Sequence, residues 1–498
     1  MNVNPITRLD YPDLDVIRVE DTYYMVSTTM HFMPGCEILQ SFDLVHWEHV
    51  TYVYETLDHT DAQQLKSGQN IYGQGMWAAS LRYHEGRFYI CFVANDTRKT
   101  YLYTSEKIDG PWKKQLIEGF YHDGSLLFDE DGRNYIVYGN DEIWITELNE
   151  DLTAPKKDGL HRLLVSDHKN PELGYEGSHI QKINGYYYIF LIHSLRDRWM
   201  RTEACFYSDS LEGEFTGGDV LCDDRGYCGQ GVAQGGIVDT PDGKWYAMLF
   251  QDSGAVGRIP ILVPVTWKDH FPVFGQNGHV PEEIEVHSTR PGYIYQPLVG
   301  SDDFCNGLLP RWQFNHDPDP RYYHLDALQG TYTITTREVC TELTQAVNTL
   351  TQRMSYPSCA AEVTVDASAL KEGDVAGLCA LQSCYAAVGI TKHHGKYEVL
   401  MLDKKEDGIL DMTEGTVVES HQMDFRLEAD FCNMKDEARC YYRVNKGDWL
   451  PIGNVHKLYF KLDHFTGCRF GLFCYAAEET GGSACFRDFK YYDVDEIS

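Results

Sequence analysis

The sequence predicts an all-β protein, a five-bladed β-propeller over residues 1–298 followed by a β-sandwich over residues 299–498. Three observations predict it. One strand pattern recurs five times in the first part of the chain, and long helical periodicities are absent between the copies. The region after residue 299 alternates short apolar strands with polar turns. At 498 residues the chain is also too long for a single hydrophobic core, so two or more domains are expected.

The five copies read PDLDVIRVEDTYYMVS from Pro12, WAASLRYHEGRFYICFV from Trp77, DGSLLFDEDGRNYIVYG from Asp123, EGSHIQKINGYYYIFLI from Glu176 and QGGIVDTPDGKWYAMLF from Gln234. Each is an apolar strand, a tight turn and a second strand with a tyrosine near its start, as in a β-hairpin. Gly-x-x-Tyr marks the turn in four copies (Gly86/Tyr89, Gly132/Tyr135, Gly185/Tyr188 and Gly243/Tyr246), while the first uses Asp21 before Tyr24. The tyrosines step by 65, 46, 53 and 58 residues, which leaves room for about four strands per unit, the size of a propeller blade. In the C-terminal region AAEVTVDA, KYEVLMLDK, FRLEADF and ARCYYRV read as sandwich strands.

Composition narrows the partners. A net charge of −32 repels phosphate backbones and anionic lipid, which disfavours nucleic acid, membrane surfaces and polyanionic substrates. It fits a neutral ligand, and it also serves plain solubility. The 34 Tyr, 22 Phe and 9 Trp suit strands, and their ring faces also suit the C–H face of a sugar. The N-terminus shows neither a basic n-region nor an apolar h-region, and no apolar run approaches transmembrane length, so a cytoplasmic location is expected. The 15 scattered cysteines, with no C-x-x-C pair, read as reduced, mostly buried thiols.

The repeat also aligns chemistry. Trp77, Asp123, Glu176 and Gln234 stand twelve residues before their tyrosines, and Asp13 stands eleven before Tyr24. All five are expected at one position, the start of an inner strand at one mouth of the channel. Taken alone, each acid can be a turn or surface residue; three at a common position are a chemical signal. One carboxylic acid that protonates a leaving oxygen and one carboxylate that activates water, about 6.5–9.5 Å apart, cleave a glycosidic bond with inversion. A third carboxylate can keep the acid protonated. Three carboxylates are also a hard-cation site.

At these residues the chain resembles glycoside hydrolase family 43, which includes β-xylosidases and α-L-arabinofuranosidases. The matching stretches are DYPDLDVIRVEDTYYMVSTT, PGCEILQSFDLVHW, GMWAASLRYHEGRFY, DGSLLFDEDGRNYIV, YEGSHIQKINGYYYIF and TPDGKWYAML followed by VGRIPILVPVTW, in family order. The resemblance implies Asp13 as general base, Asp123 as modulator of the acid's pKa and Glu176 as general acid, with an oligosaccharide as substrate. It implies that Arg258 reaches sugar hydroxyls and that Trp77 lines the pocket, and it makes Phe32 a pocket candidate. Residues 300–498 resemble the concanavalin-like sandwich of the β-xylosidase branch, whose loop FTGCRFG is expected at the pocket rim through Arg469. No cofactor is needed for the chemistry. Related sandwiches sometimes hold a structural calcium ion, which makes Asp488 a metal candidate.

Met30, His122 and Gln234 depart from the β-xylosidase pattern, in which Phe, Phe and His are common. Those changes favour an exo-acting enzyme that removes terminal α-L-arabinofuranose from xylan-derived oligosaccharides. A β-xylosidase, or an enzyme with both activities, is the alternative; a non-catalytic carbohydrate-binding propeller is a reading from another class. The Asn-Asp-Pro-Asn opening and Arg-Asp-Pro motif of fructan hydrolases are absent.

Overall fold

The computed structural model describes residues 3–413 and 415–493. Among them there is no α-helix, only strands and four short 3-10 turns. Five four-stranded antiparallel sheets follow one another as blades, with inner strands Asp15–Val19, Met76–His84, Ser125–Phe128, Glu176–Ile183 and Ile237–Asp239. Each inner strand begins one of the five repeats, so the hairpins seen in the sequence are the inner halves of the blades. Neighbouring blades bury their faces against each other: Val26, Ile38 and Tyr54 of blade 1 pack with Leu81, Ile90 and Phe92 of blade 2.

Hydrogen bonds from the N-terminal segment close the ring. Asn4 makes paired contacts with the backbone of Leu262, donating from Nδ2 and accepting on Oδ1, each at 2.8 Å. The Tyr11 N–H donates to the Arg258 carbonyl at 3.0 Å. After the last blade strand, Phe271–Phe274, the chain crosses back over blade 1, where Thr289 donates to the Asp21 carbonyl and the Gln296 N–H donates to Glu48.

The C-terminal part is a sandwich of a nine-stranded and a seven-stranded sheet, with Leu378, Val388, Phe425, Phe470 and Phe486 in its core. One strand of the larger sheet comes from the propeller: Phe32–Met33, an excursion of blade 1, pairs with Gln313–Asn315. The two domains therefore share a sheet. Behind this seam the buried Arg353 donates to Glu37 at 2.8 Å and to the Asp10 carbonyl at 2.9 Å. None of the 15 cysteines is in a disulfide, and most are buried.

Candidate active site

The repeat is real, but its constant spacing is reached by two routes. Tyr135 and Tyr246 pair with Leu127 and Val238, eight positions back, because their turns are one residue longer than in blades 1, 2 and 4. In blades 2 and 4 the extra residue is instead a β-bulge, between Met76 and Ala79 and between Glu176 and His179. By backbone conformation Asp13 and Asp123 are matched by Gly177 and Gln234, and Glu176 stands one residue upstream of Gly177, paired with Ile192. The expectation of a single shared position is corrected accordingly. Asp13, Asp123, Gly177 and Gln234 all have left-handed backbone, with φ of 51°, 48°, 63° and 65°. For the three residues with side chains this costs about 1–2 kcal/mol each, which the surrounding contacts must offset.

The bulge also changes exposure. The Asp13 and Asp123 side chains are 9% and 7% exposed, whereas Glu176 is 23% exposed and stands further into the pocket. Asp13 Oδ1 accepts from Arg258 Nη1 at 2.8 Å, and its Oδ2 accepts from the Thr28 hydroxyl at 2.9 Å. Burial raises the Asp13 pKa, Arg258 and Thr28 oppose the rise, and the charge of Asp123 adds to it. Asp123 Oδ2 accepts the Gly177 N–H at 2.9 Å; burial raises its pKa as well, opposed by His122 and reinforced by Glu176. Glu176 Oε2 accepts from Asn140 Nδ2 at 2.9 Å.

Glu176 lines a pocket of about 600 Å³ whose walls also include Trp77, His122, Arg201, Phe460 and Phe465, while Asp13, Asp123 and Arg258 are buried. Phe460 and Phe465 come from the sandwich. Phe465 lays its ring 4.2 Å from the Arg258 guanidinium, and its carbonyl accepts from Arg258 Nη2 at 3.3 Å. Asp10 joins the pieces behind the site, since its two oxygens accept the Arg258 and Gly467 N–H groups at 2.8 and 2.7 Å. Gly257 and Gly467 leave the space for it, because a Cβ on either would collide with Asp10. Two residues after Asp13, Asp15 occupies the channel between Arg82 at 2.7 Å and His179 at 3.1 Å. A second cavity of about 420 Å³, at the far end of the channel, contains none of the three carboxylates.

The structure brings Asp13, Asp123, Glu176, Trp77, His122 and Arg258 together. It places the other predicted residues elsewhere. Gln234 is buried, its N–H donates to Glu203, and its side chain packs over Gly177 rather than lining the pocket. Met30 pairs its backbone with Met76. Phe32 belongs to the interdomain strand and lies under the Arg469 guanidinium, 3.4 Å from its ring centre. Arg469 is buried and donates to Gln313, and burial lowers it to about 9. The FTGCRFG loop does reach the pocket, but through Phe465: Arg469 lies in the strand Arg469–Tyr475, whose pairing turns it into the seam.

Asp488 is exposed, in a groove whose other acids are already paired, Asp424 with Arg443 and Lys446 and Glu362 with Arg426. Such a donor set does not fit a calcium ion. Among the described residues, one group of three metal-type ligands comes together, His122, Asp123 and Glu176, with ligand atoms within 4.8 Å. Sequence reasoning missed Asp10, Asn140, Arg201, Asp252, Phe460 and Phe465. Asp10, Arg201, Phe460 and Phe465 come from outside the repeated hairpin, and Asn140 and Asp252 end its second strand, beyond the stretch in which the copies align.

The pattern of Glycosyl hydrolases family 43 matches residues 3–272, and that of the Beta xylosidase C-terminal Concanavalin A-like domain matches residues 301–492. The chain belongs to glycosyl hydrolases family 43, a glycosidase family. A Beta-xylosidase of Formosa agariphila is 26% identical over 99% of this chain and 89% of its own length. A non-reducing end alpha-L-arabinofuranosidase of Bacteroides ovatus is 24% identical over 82% of this chain and 79% of its own. Among solved structures, a bifunctional GH43-CE protein of Bacteroides eggerthii superposes with a TM-score of 0.92 at 43% identity; it covers 99% of this chain, which spans 64% of that protein's length. A GH43 glycoside hydrolase engineered to display both endo-xylanase and exo-arabinofuranosidase activity superposes at 0.85 with 28% identity, covering 99% of both chains.

Proposed function

We propose that this family 43 chain is an inverting, exo-acting glycosidase that releases terminal pentoses from xylan-derived oligosaccharides, with α-L-arabinofuranose first among them. The carrying observation is one cluster of three acids, in which Asp13, tied to Arg258, lies near the buried Asp123, and Asp123 and Glu176 flank His122 at the pocket wall. In this reading Glu176 gives a proton to the glycosidic oxygen as the anomeric C–O bond breaks. Asp13 takes a proton from the water that attacks the opposite face, so the anomeric centre inverts. Asp123 acts on Glu176 through its charge. Trp77, Phe460 and Phe465 supply ring faces to the sugar, and the sandwich loop that carries the last two narrows the site, which suits chain ends.

Of the three departures that favoured arabinofuranose in the sequence, His122 alone lines the pocket; Met30 and Gln234 do not. The arabinose reading therefore rests on His122 and on the likeness to arabinofuranosidases. The second reading, a β-xylosidase, is favoured by the Formosa agariphila relative, which aligns over nearly the whole chain. Initial rates on matched nitrophenyl α-L-arabinofuranoside and β-D-xylopyranoside decide between them. A faster arabinoside supports the first reading and a faster xyloside the second. Rates indistinguishable from buffer on both, and on xylo-oligosaccharides, would overturn both.

A further inference from the structure

The pocket is larger than one pentose needs. Its volume of about 600 Å³ is the room of a drug-sized ligand rather than of a single small ring. Its outer wall carries two unusual side chains. Among the described residues, Trp199 and Leu462 are the large apolar groups of this wall that stand exposed, at 45% and 71%. Scattered singly over a surface, such residues call for no explanation. Two that line one functional pocket, one from each domain, form a surface for a ligand.

Strand pairing places this surface relative to the acid. Glu176 pairs with Ile192, and Ile192 with Glu203. Two residues further out Ser194 pairs with Arg201, and there the hairpin turns, with the Leu195 N–H donating to the Met200 carbonyl at 3.1 Å. Trp199 belongs to this turn, so it stands about 7 Å or more beyond the row of Glu176, on the same blade and away from the channel. The Arg201 guanidinium lies 5.5 Å from the centre of the Trp199 ring and steadies it, while Asp252 matches its charge at 2.7 Å. Leu462 belongs to the sandwich segment that also supplies Phe460 and Phe465.

A general acid stands at the bond being cut, so the wall beyond it on the solvent side holds the departing unit. We propose that Trp199 and Leu462 seat the leaving sugar, an uncharged xylopyranose unit whose C–H face stacks on the Trp199 indole. The inference rests on the reading of Glu176 as general acid. It names the unit on the far side of the bond, which the arabinofuranosidase and β-xylosidase readings share. Xylopyranose has no hydroxymethyl group, so its ring can lie flat on an indole. A glucuronate-bearing unit fits this wall poorly. Its guanidinium and ammonium, Arg201 and Lys461, are already paired with Asp252 and Glu406, and Glu172 adds an exposed acid.

The test separates the two sides of the bond. kcat/KM is measured for the native protein, Trp199→Ala, Trp199→Phe and Leu462→Ala on a pentose-ended xylo-oligosaccharide. The same set is measured on the methyl glycoside of that pentose, which has no ring on the leaving side. Trp199→Ala is expected to lose about 10-fold or more on the oligosaccharide, the scale of one lost aromatic anchor, and to stay within about 2-fold on the methyl glycoside. Trp199→Phe should recover most of the loss, and Leu462→Ala should lose less than Trp199→Ala. Equal losses on both substrates, or an unchanged rate on the oligosaccharide, would overturn the proposal. Calorimetry then follows xylotriose binding to full-length Asp13→Asn with and without Trp199→Ala, where no hydrolysis is required. A Kd weaker by about 10-fold without the indole is expected, and equal affinities would count against the seat. If the native protein cleaves neither substrate while the indole-dependent binding persists, the glycosidase reading fails and the xylose seat stands.

Discussion

Asp13 and Asp15 stand two residues apart at the start of blade 1, both buried, and their surroundings treat them in opposite ways. Asp15 closes the channel between Arg82, His179 and the Leu81 N–H, and although burial would raise it, those partners hold it near pH 2. Asp13 has one guanidinium and one hydroxyl, with a second carboxylate nearby, and burial leaves it above the ordinary carboxylate range. One short stretch of chain thus carries a structural acid, charge-satisfied on all sides, and an acid kept ready to accept a proton. The difference lies in what surrounds each residue, and it separates the two ends of the channel: a closed ionic plug below and a reactive mouth above.

Exchanging each acid for its amide sharpens the contrast. Asp13→Asn is expected to lower kcat/KM by about 10³-fold or more with little change in stability, as removal of a general base does. Asp15→Asn is expected to leave Arg82 and His179 without their counter-charge and to cost about 3–5 kcal/mol in a denaturant titration. A larger activity loss than stability loss for Asp15→Asn would break the comparison.

Acid stability offers a second way to test it. The Asp15 pKa is lower in the folded than in the unfolded state, so its stabilisation is complete above the unfolded value of about 4. It is lost as pH falls toward the folded value of about 2. About 2–3 kcal/mol should disappear across that window in urea midpoints of the native protein, and Asp15→Asn should lack that component.

Arg258→Met addresses the mouth. Without the guanidinium the Asp13 pKa rises further, so the acid limb of the kcat/KM profile should move to higher pH, with a loss of about 10–100-fold at the optimum. The smallest effect belongs to the sandwich loop. Phe465→Ala removes a ring from Arg258 and from the pocket wall, which is worth about 1–2 kcal/mol, or about 5–30-fold in kcat/KM. A fall in kcat/KM with no shift in the acid limb would show that the ring binds sugar rather than steadying Arg258.

Much of this was legible in the chain. The period-2 hairpins with Gly-x-x-Tyr turns and their five-fold recurrence express local backbone chemistry, and local chemistry is written residue by residue. The propeller, the sandwich and the recurring places of Trp77, Asp123, Glu176 and Asp13 follow from it, whereas Arg258 came only from the resemblance to the family. The bulges were not legible, because an extra residue in a strand and an extra residue in a turn add the same one to a count. Residues whose place depends on contacts distant in sequence were hidden as well. Arg469 looked like a rim residue until strand pairing turned it into the seam, and Phe465, four residues before it, took the rim instead. Periodicity and turn chemistry by themselves determined the class of fold and the ring of acids. The opposite surroundings of Asp13 and Asp15 and the ring of Phe465 over Arg258 were decided only by tertiary structure, because burial and charge pairing exist only once distant segments meet.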